Sequence, residues 1–211
     1  MSFPKLERLC EYYRKYEHQK KALDQLDGLI KRFVPEDDLE RVLKLWRGST
    51  PAVVHPLQKG IDLIKEFEGC HLVAYPDPLS GNLPITIGWG STKNFNGKPF
   101  KLGDRITQQV ADDLLKHQVE YEFLPTLAKT VPHWDDLNNN QKSALLSFAW
   151  NLGKHFATAL SGFESMQRML RNKEYKEARE VFVKYRNPGT KVEAGLKRRR
   201  LAEAELFGTH D

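Results

Sequence analysis

Only two short stretches of this chain read as extended, His71 to Tyr75 and Ile85 to Trp89, while nearly all the rest carries helical periodicity. A Pro/Gly/Ser-rich turn separates the two. That asymmetry restricts the architecture to an α+β arrangement, in which one helix feeds a short antiparallel sheet and a larger helical lobe follows.

The helix ahead of the sheet is marked by Ile61, Leu63, Ile64 and Phe67 and should end near Gly69. Beyond the sheet, Thr107 reads as a cap for a helix that buries Val110, Leu114, Leu115 and Val119 and runs to about Phe123. The run Gln141 to Leu152 places Ala144, Leu145, Phe148, Ala149 and Leu152 on one side, follows the Asn-rich segment Asn138 to Asn140 and meets Gly153, so it is expected to be the central core helix. Ser161 and Glu164 have capping-box spacing ahead of Met166, Met169 and Leu170. Further helices are expected at about Lys173 to Tyr185 and Ala194 to Phe207, the last closed by Gly208.

The first part of the chain is different. From Lys5 to Val34, residues such as Leu6, Leu9, Tyr13, Leu23, Leu26, Ile30 and Phe33 fall at helical spacing, and Pro35 followed by three acidic residues reads as the start of a second helix to about Arg47. Gly48, Ser49, Thr50, Pro51 and Pro56 interrupt both periods and make residues 48–56 the best linker. The expected division is a helical N-terminal extension, residues 1–50, and a second domain, residues 57–208. The role of the extension stays open between binding an extended polymer, docking a partner as a helical hairpin, and packing against the second domain, which by itself accounts for the leucine stripes; it carries no recognisable binding repeat.

Composition narrows the classes of partner. The chain of 211 residues is 40% hydrophobic with 11 Phe, 7 Tyr and 4 Trp, enough for one sizeable core. A formal charge of +5 favours polyanions, among them nucleic acid, anionic membrane surfaces and the acidic polymers of a cell wall. Cys10 and Cys70 are the only cysteines and form no CxxC, so reduced thiols are expected. No run approaches the roughly 18 apolar residues that span a bilayer, and the amino terminus lacks the apolar segment of a signal peptide, so a cytoplasmic protein without stable membrane insertion is expected. His71, His117, His133 and His155 lack metal-ligand spacing, and neither GxSxG nor a P-loop is present, so no metal and no cofactor are expected.

The chemistry-bearing stretch runs from Phe67-Glu68-Gly69 through Tyr75-Pro76-Asp77 to Thr86-Ile87-Gly88-Trp89-Gly90. A carboxylate at a helix end and another on a turn at a sheet edge can face each other across a cleft. Glycoside hydrolysis requires such a pair, one protonated to serve the leaving oxygen and one ionised to activate water or stabilise positive charge. Taken singly, Glu68 is a helix-end glutamate, Asp77 an Asp-Pro turn residue and Thr86 a strand former.

Taken together, these residues closely resemble glycoside hydrolase family 24, the lysozymes of T-even and lambdoid phages. The resemblance lies in FEG at Phe67 to Gly69, the eight-residue gap between Glu68 and Asp77, and TIGWG at Thr86 to Gly90. It continues through Leu137 to Gly153 and Gly195 to Phe207, covering about residues 57–208. Two departures stand out: the turn from Pro78 to Ile85 is longer than in the shortest members, and Ser91 replaces a histidine often found after the last glycine.

The resemblance implies a lysozyme-like fold and an endolysin that hydrolyses the β-1,4 linkage of bacterial peptidoglycan. Glu68 would be the general acid, Asp77 the carboxylate that orients water and stabilises the oxocarbenium-like state, and Thr86 the hydroxyl that holds that water, with inversion at the anomeric carbon. Trp150 and Asn151 would contact the sugar, and Arg199, within the basic run Lys197 to Arg200, would pair with the acid. The four cations point in different directions around a helix, so a nucleic-acid groove is not the expected reading. A monomer is expected, held in the host cytoplasm until a separate holin opens the way to the wall. The rivals are a lytic transglycosylase, which uses a lone glutamate, and a non-enzymatic cationic protein that disrupts wall or membrane.

Overall fold

The computed structural model describes residues 55–76, 83–159 and 161–209. The expected N-terminal extension and Asp77 lie outside the described residues. In chain order the described elements are α1 (Gln58–Phe67), β1 (His71–Pro76), β2 (Ile85–Gly88), α2 (Gln108–Gln118), α3 (Leu124–Thr130), α4 (Asn139–Leu152), α5 (Glu164–Asn172), α6 (Ala178–Val183) and α7 (Glu193–Gly208). The architecture is α+β, with a two-stranded antiparallel sheet and a helical lobe.

Helix α4 is the centre of the helical lobe, and its sequence explains both its ends and its position. Asn138 Oδ1 accepts from the Gln141 amide at 2.8 Å while Gln141 Oε1 accepts from the Asn138 amide at 3.0 Å, a reciprocal cap that satisfies two otherwise unpaired donors. Gly153 ends the helix at φ 101°. Every residue from Ser143 to Ala149 is buried, which requires neighbours on several sides, and α1 and α7 both pack on it. The α1 crossing is unusually close: a Cβ on Gly60 would stand 2.6 Å from the Ser143 carbonyl oxygen, so only glycine fits there. Phe148, fully buried on α4, meets Phe156, Phe182 and Tyr185 edge to face with ring centroids 5.1–5.4 Å apart.

The sheet lobe is small and irregular. Strands β1 and β2 pair His71 with Gly88 and Tyr75 with Thr86, with a register shift between them. The outer edge of β1 is covered: the Ala74 amide donates to Asp104 O at 2.8 Å and the Ile106 amide to Leu72 O at 3.0 Å. After β2 the chain reverses through Trp89 and Gly90, with Ile87 and Ser91 exchanging two backbone hydrogen bonds of 2.9 Å.

Three local expectations change. The helix expected from Thr107 to Phe123 does begin at Thr107, whose hydroxyl caps the Val110 amide, but it passes into a π-helical turn over Val119–Phe123 before α3. Pro125, in the first turn of α3, has no N–H and its ring crowds the carbonyl four residues back, so the wider turn relieves the conflict. The capping box expected from Ser161 and Glu164 does not form; Ser161 Oγ donates instead to Phe156 O at 2.6 Å, and the position before α5 belongs to Phe163. The helix expected over Lys173 to Tyr185 is broken: Lys173 ends α5 at φ 56°, a 3-10 turn spans Tyr175–Glu177, and α6 follows.

Candidate active site

Glu68 sits where α1 stops. Its backbone is extended at φ −101° and ψ 141°, while its amide still donates to Ile64 O at 2.9 Å, so the helix hydrogen-bond ladder fixes the residue and the turn releases its side chain. There the carboxylate meets α7: Arg199 Nη1 donates to Glu68 Oε1 at 2.7 Å. The Arg199 side chain is 3% exposed and that of Glu68 31% exposed, so the pair spans the boundary between core and solvent. Only Oε1 of the glutamate is engaged by the arginine, which leaves Oε2 for a partner on the open side.

Arg199 is held from three directions. Its Nη2 donates to the Ser147 carbonyl on α4 at 3.1 Å, and its Nε donates to Glu203 Oε1, one turn along α7, at 3.1 Å. The Phe67 ring lies 5.7 Å from its guanidinium carbon. Arg200 is fully buried; its Nη2 donates to Glu203 Oε1 at 2.9 Å and to Asn151 Oδ1 at 3.1 Å, and its guanidinium covers the Phe148 ring at 4.8 Å. Its Nε stands 2.9 Å from Glu203 Oε2 without being aligned to donate, an electrostatic contact only. Ser147 Oγ donates to Glu203 Oε1 at 2.8 Å. Burial pushes the Glu203 carboxyl up, against the opposing pull of Arg200 and Arg199. Burial likewise brings Arg200 down to about 10, still protonated at neutral pH.

On the sheet side, Thr86 is 9% exposed and lies across from Tyr75 on β1, two residues before Asp77. Its Oγ1 donates to Pro84 O at 3.3 Å, which occupies the hydroxyl proton and leaves the oxygen able to accept. Trp150 is half-buried and stacks on Phe123 with ring centroids 4.9 Å apart, so part of its surface belongs to the core. The structure thus brings Glu68 and Arg199 into direct contact and joins Asn151 to the same charged cluster through Arg200. Thr86 stands on a separate element, and Asp77 falls outside the described residues.

A second network braces the two sides of the fold. Lys65, on the last turn of α1, lies 2.9 Å from Asp112 Oδ1 on α2, and Trp89 Nε1, in the turn after β2, donates to the same oxygen at 2.8 Å. Although burial pushes the Asp112 carboxyl up, hydrogen bonds from Lys65, Trp89 and Gln108 outweigh it and hold the group below its ordinary value.

Arg200, Glu203 and Ser147 were not anticipated as site residues. A signal existed: Phe207 and Ala204 form the buried stripe of α7, and stepping back by three or four residues reaches Glu203, Arg200 and Arg199. Among the described residues, no group of three His, Cys, Asp or Glu side chains is placed to hold a metal ion, and no helix is long and apolar enough to cross a membrane.

The phage lysozyme family matches residues 65–203. The endolysin of Salmonella phage P22 is 35% identical over 150 residues, which cover 70% of this chain and 94% of that protein. The endolysin of Lactococcus phage c2 is also 35% identical over 150 residues, covering 71% of this chain but 58% of that protein, so the chain spans less than two thirds of the lactococcal relative. Among solved structures, a P22 lysozyme variant superposes with a TM-score of 0.58 at 32% identity, covering 72% of this chain and 96% of that one. The muramidase domain of SpmX from Asticaccaulis excentricus gives 0.56 at 30% identity, covering 72% and 97%.

Proposed function

The chain belongs to the phage lysozyme family, and from that membership we propose that it is an endolysin-type muramidase. Its substrate is the β-1,4 linkage between N-acetylmuramic acid and N-acetylglucosamine in bacterial peptidoglycan. Glu68 donates the proton to the leaving oxygen, Asp77 orients the attacking water and stabilises the oxocarbenium-like state, and Thr86 holds that water. Trp150 offers a ring to a sugar face and Asn151 an amide to an acetamido group. The reaction inverts the anomeric carbon, since a threonine rather than a nucleophilic carboxylate stands beside the water site.

The observation that most supports this reading is the state of Glu68: a carboxyl group at a helix end, gripped on one oxygen by a buried arginine and open on the other. Arg199 cannot accept a proton, so it orients the acid without competing for its hydrogen. Glu203 holds the Arg199 guanidinium from behind and keeps Nη1 directed at Glu68. The protein acts as a monomer, and its cellular route follows the family: retention in the host cytoplasm until a separate holin gives access to the wall.

The test is digestion of purified peptidoglycan, with mass analysis of the fragments and NMR of the first-formed anomer. Reducing muramic acid ends released as the α-anomer are expected. Anhydro-muramic ends would mean a lytic transglycosylase, and the β-anomer would mean retention. Unchanged glycan strands would leave only a cationic disrupting role.

A further inference from the structure

We propose that Glu203 is a shared positioning residue, which sets the acid Glu68 through Arg199 and, through Arg200, turns the Asn151 amide so that its nitrogen is the end presented to substrate. The proposal rests on the muramidase reading and extends it to groups that never touch the glycan. Its basis is the convergence on one atom: Glu203 Oε1 accepts from Ser147 Oγ at 2.8 Å, Arg199 Nε at 3.1 Å and Arg200 Nη2 at 2.9 Å.

Each arm has a geometric reason. In the first, two of the Arg199 nitrogens are taken from behind, Nε by Glu203 and Nη2 by the Ser147 carbonyl. These two bonds fix the plane of the guanidinium, and Nη1 is then aimed at Glu68 Oε1. Exchanging the Glu203 carboxylate for an amide removes the charge that binds both guanidinium groups and sets an NH2 against Arg200 Nε, which loosens that plane and lets Nη1 drift from the acid. In the second arm, Arg200 carries only donors, so the Asn151 atom 3.1 Å from its Nη2 must be the amide oxygen. With Oδ1 bound, Nδ2 becomes the end of the side chain that can donate to a carbonyl such as that of an acetamido group. Glu203 holds Arg200 in place for this task and is itself 0% exposed, which excludes direct contact with a glycan strand.

A buried cluster of this kind could also serve stability alone, because buried ion pairs are often replaceable by apolar residues without loss of fold. Steady-state kinetics on soluble, uncross-linked glycan strands separate the two roles. Glu203→Gln should lower kcat at least about tenfold through the Arg199 arm and raise KM about fivefold or more through the Arg200 arm. Arg200→Lys and Asn151→Ala should each raise KM by a similar factor while kcat stays within about twofold, and the double variant should raise it no further, because both act on one contact. Val181→Ala, in the buried face of α6, should lower thermal stability with both constants unchanged.

Should Glu203→Gln not fold, Glu203→Asp replaces it, since the shorter carboxylate keeps the charge but cannot reach both guanidinium groups. A folded Glu203 variant in which either kcat or KM stays within twofold of the parent overturns the shared role, as do fully additive effects of the Arg200 and Asn151 changes. Glu68→Gln on the same strands distinguishes the two levels of argument. If that variant is inactive and Glu203→Gln is normal, only this inference fails; if Glu68→Gln remains active, the muramidase assignment fails with it.

Discussion

The helical side of the site and the sheet side are built by opposite means. Glu68 is held by buried charge: Arg199 at 3% exposure, with Arg200 and Glu203 fully enclosed beside it on α7 and the Ser147 carbonyl of α4 behind it. Thr86 is held by a two-stranded sheet with a register shift, whose outward residues His71, Leu72 and Val73 are exposed. A two-stranded ribbon is weak by itself, so the position of the sheet depends on outside braces, the Trp89 and Lys65 contacts to Asp112 among them. Among the described residues, Glu68 therefore sits on the stiffer side and Thr86 on the softer one. Removing an arginine from the buried cluster should register first as lost stability, and removing the Thr86 hydroxyl first as lost turnover.

The largest effect expected from this contrast is on the helical side. Arg199→Met removes one partner of a buried cluster and leaves Glu203 with a single arginine, a change that costs about 3–5 kcal/mol. Denaturant titration should find it among the most destabilising substitutions in the protein, and a loss under about 1 kcal/mol would show that the cluster is not an anchor.

Thr86→Val tests the other half. Valine preserves shape and strand preference while deleting the hydroxyl, so the midpoint of unfolding should move little and turnover should fall roughly ten- to a hundredfold. A variant that lost stability and kept its rate would reverse the assigned roles of the two sides.

The smallest effect concerns the brace between them. Asp112 is held below its ordinary value of 3.8, so its contribution is present above about pH 4 and fades as pH falls through the folded value. Its side chain is 26% exposed, and exposed pairs of this kind contribute under about 1 kcal/mol. Asp112→Asn should be slightly less stable than the parent at pH 7, with the difference closing below pH 4. A gap that stayed constant with pH would mean that shape rather than charge holds the brace.

How much of this was legible in the sequence follows the reach of the interactions. Helix α4 could be bounded closely because Asn138, Gln141 and Gly153 act within a few residues of where they stand. Both strands were found from composition and flanking turns. Ser161 misled because its hydroxyl serves the Phe156 carbonyl, a competition that spacing to Glu164 does not reveal. The run Lys197 to Arg200 shows the limit most clearly. Periodicity says that four adjacent cations cannot face one way, yet only the fold shows that Arg199 and Arg200 turn inward while Lys197 and Arg198 remain exposed. Their partners Ser147 and Asn151 lie about fifty positions earlier, beyond any local pattern. The role of Glu203 was invisible for the same reason, since a charged residue on a helix is ordinarily read as solvated.

The central claim is that Glu68 supplies the proton for glycan cleavage, and Glu68→Gln measures it directly. The amide keeps the side-chain shape and can still accept from Arg199 but has no acid proton to give. The account predicts a folded protein with an unfolding midpoint near that of the parent and a rate of reducing-end release lowered at least about a hundredfold. A folded Glu68→Gln protein that still opens peptidoglycan at close to the parent rate would contradict it.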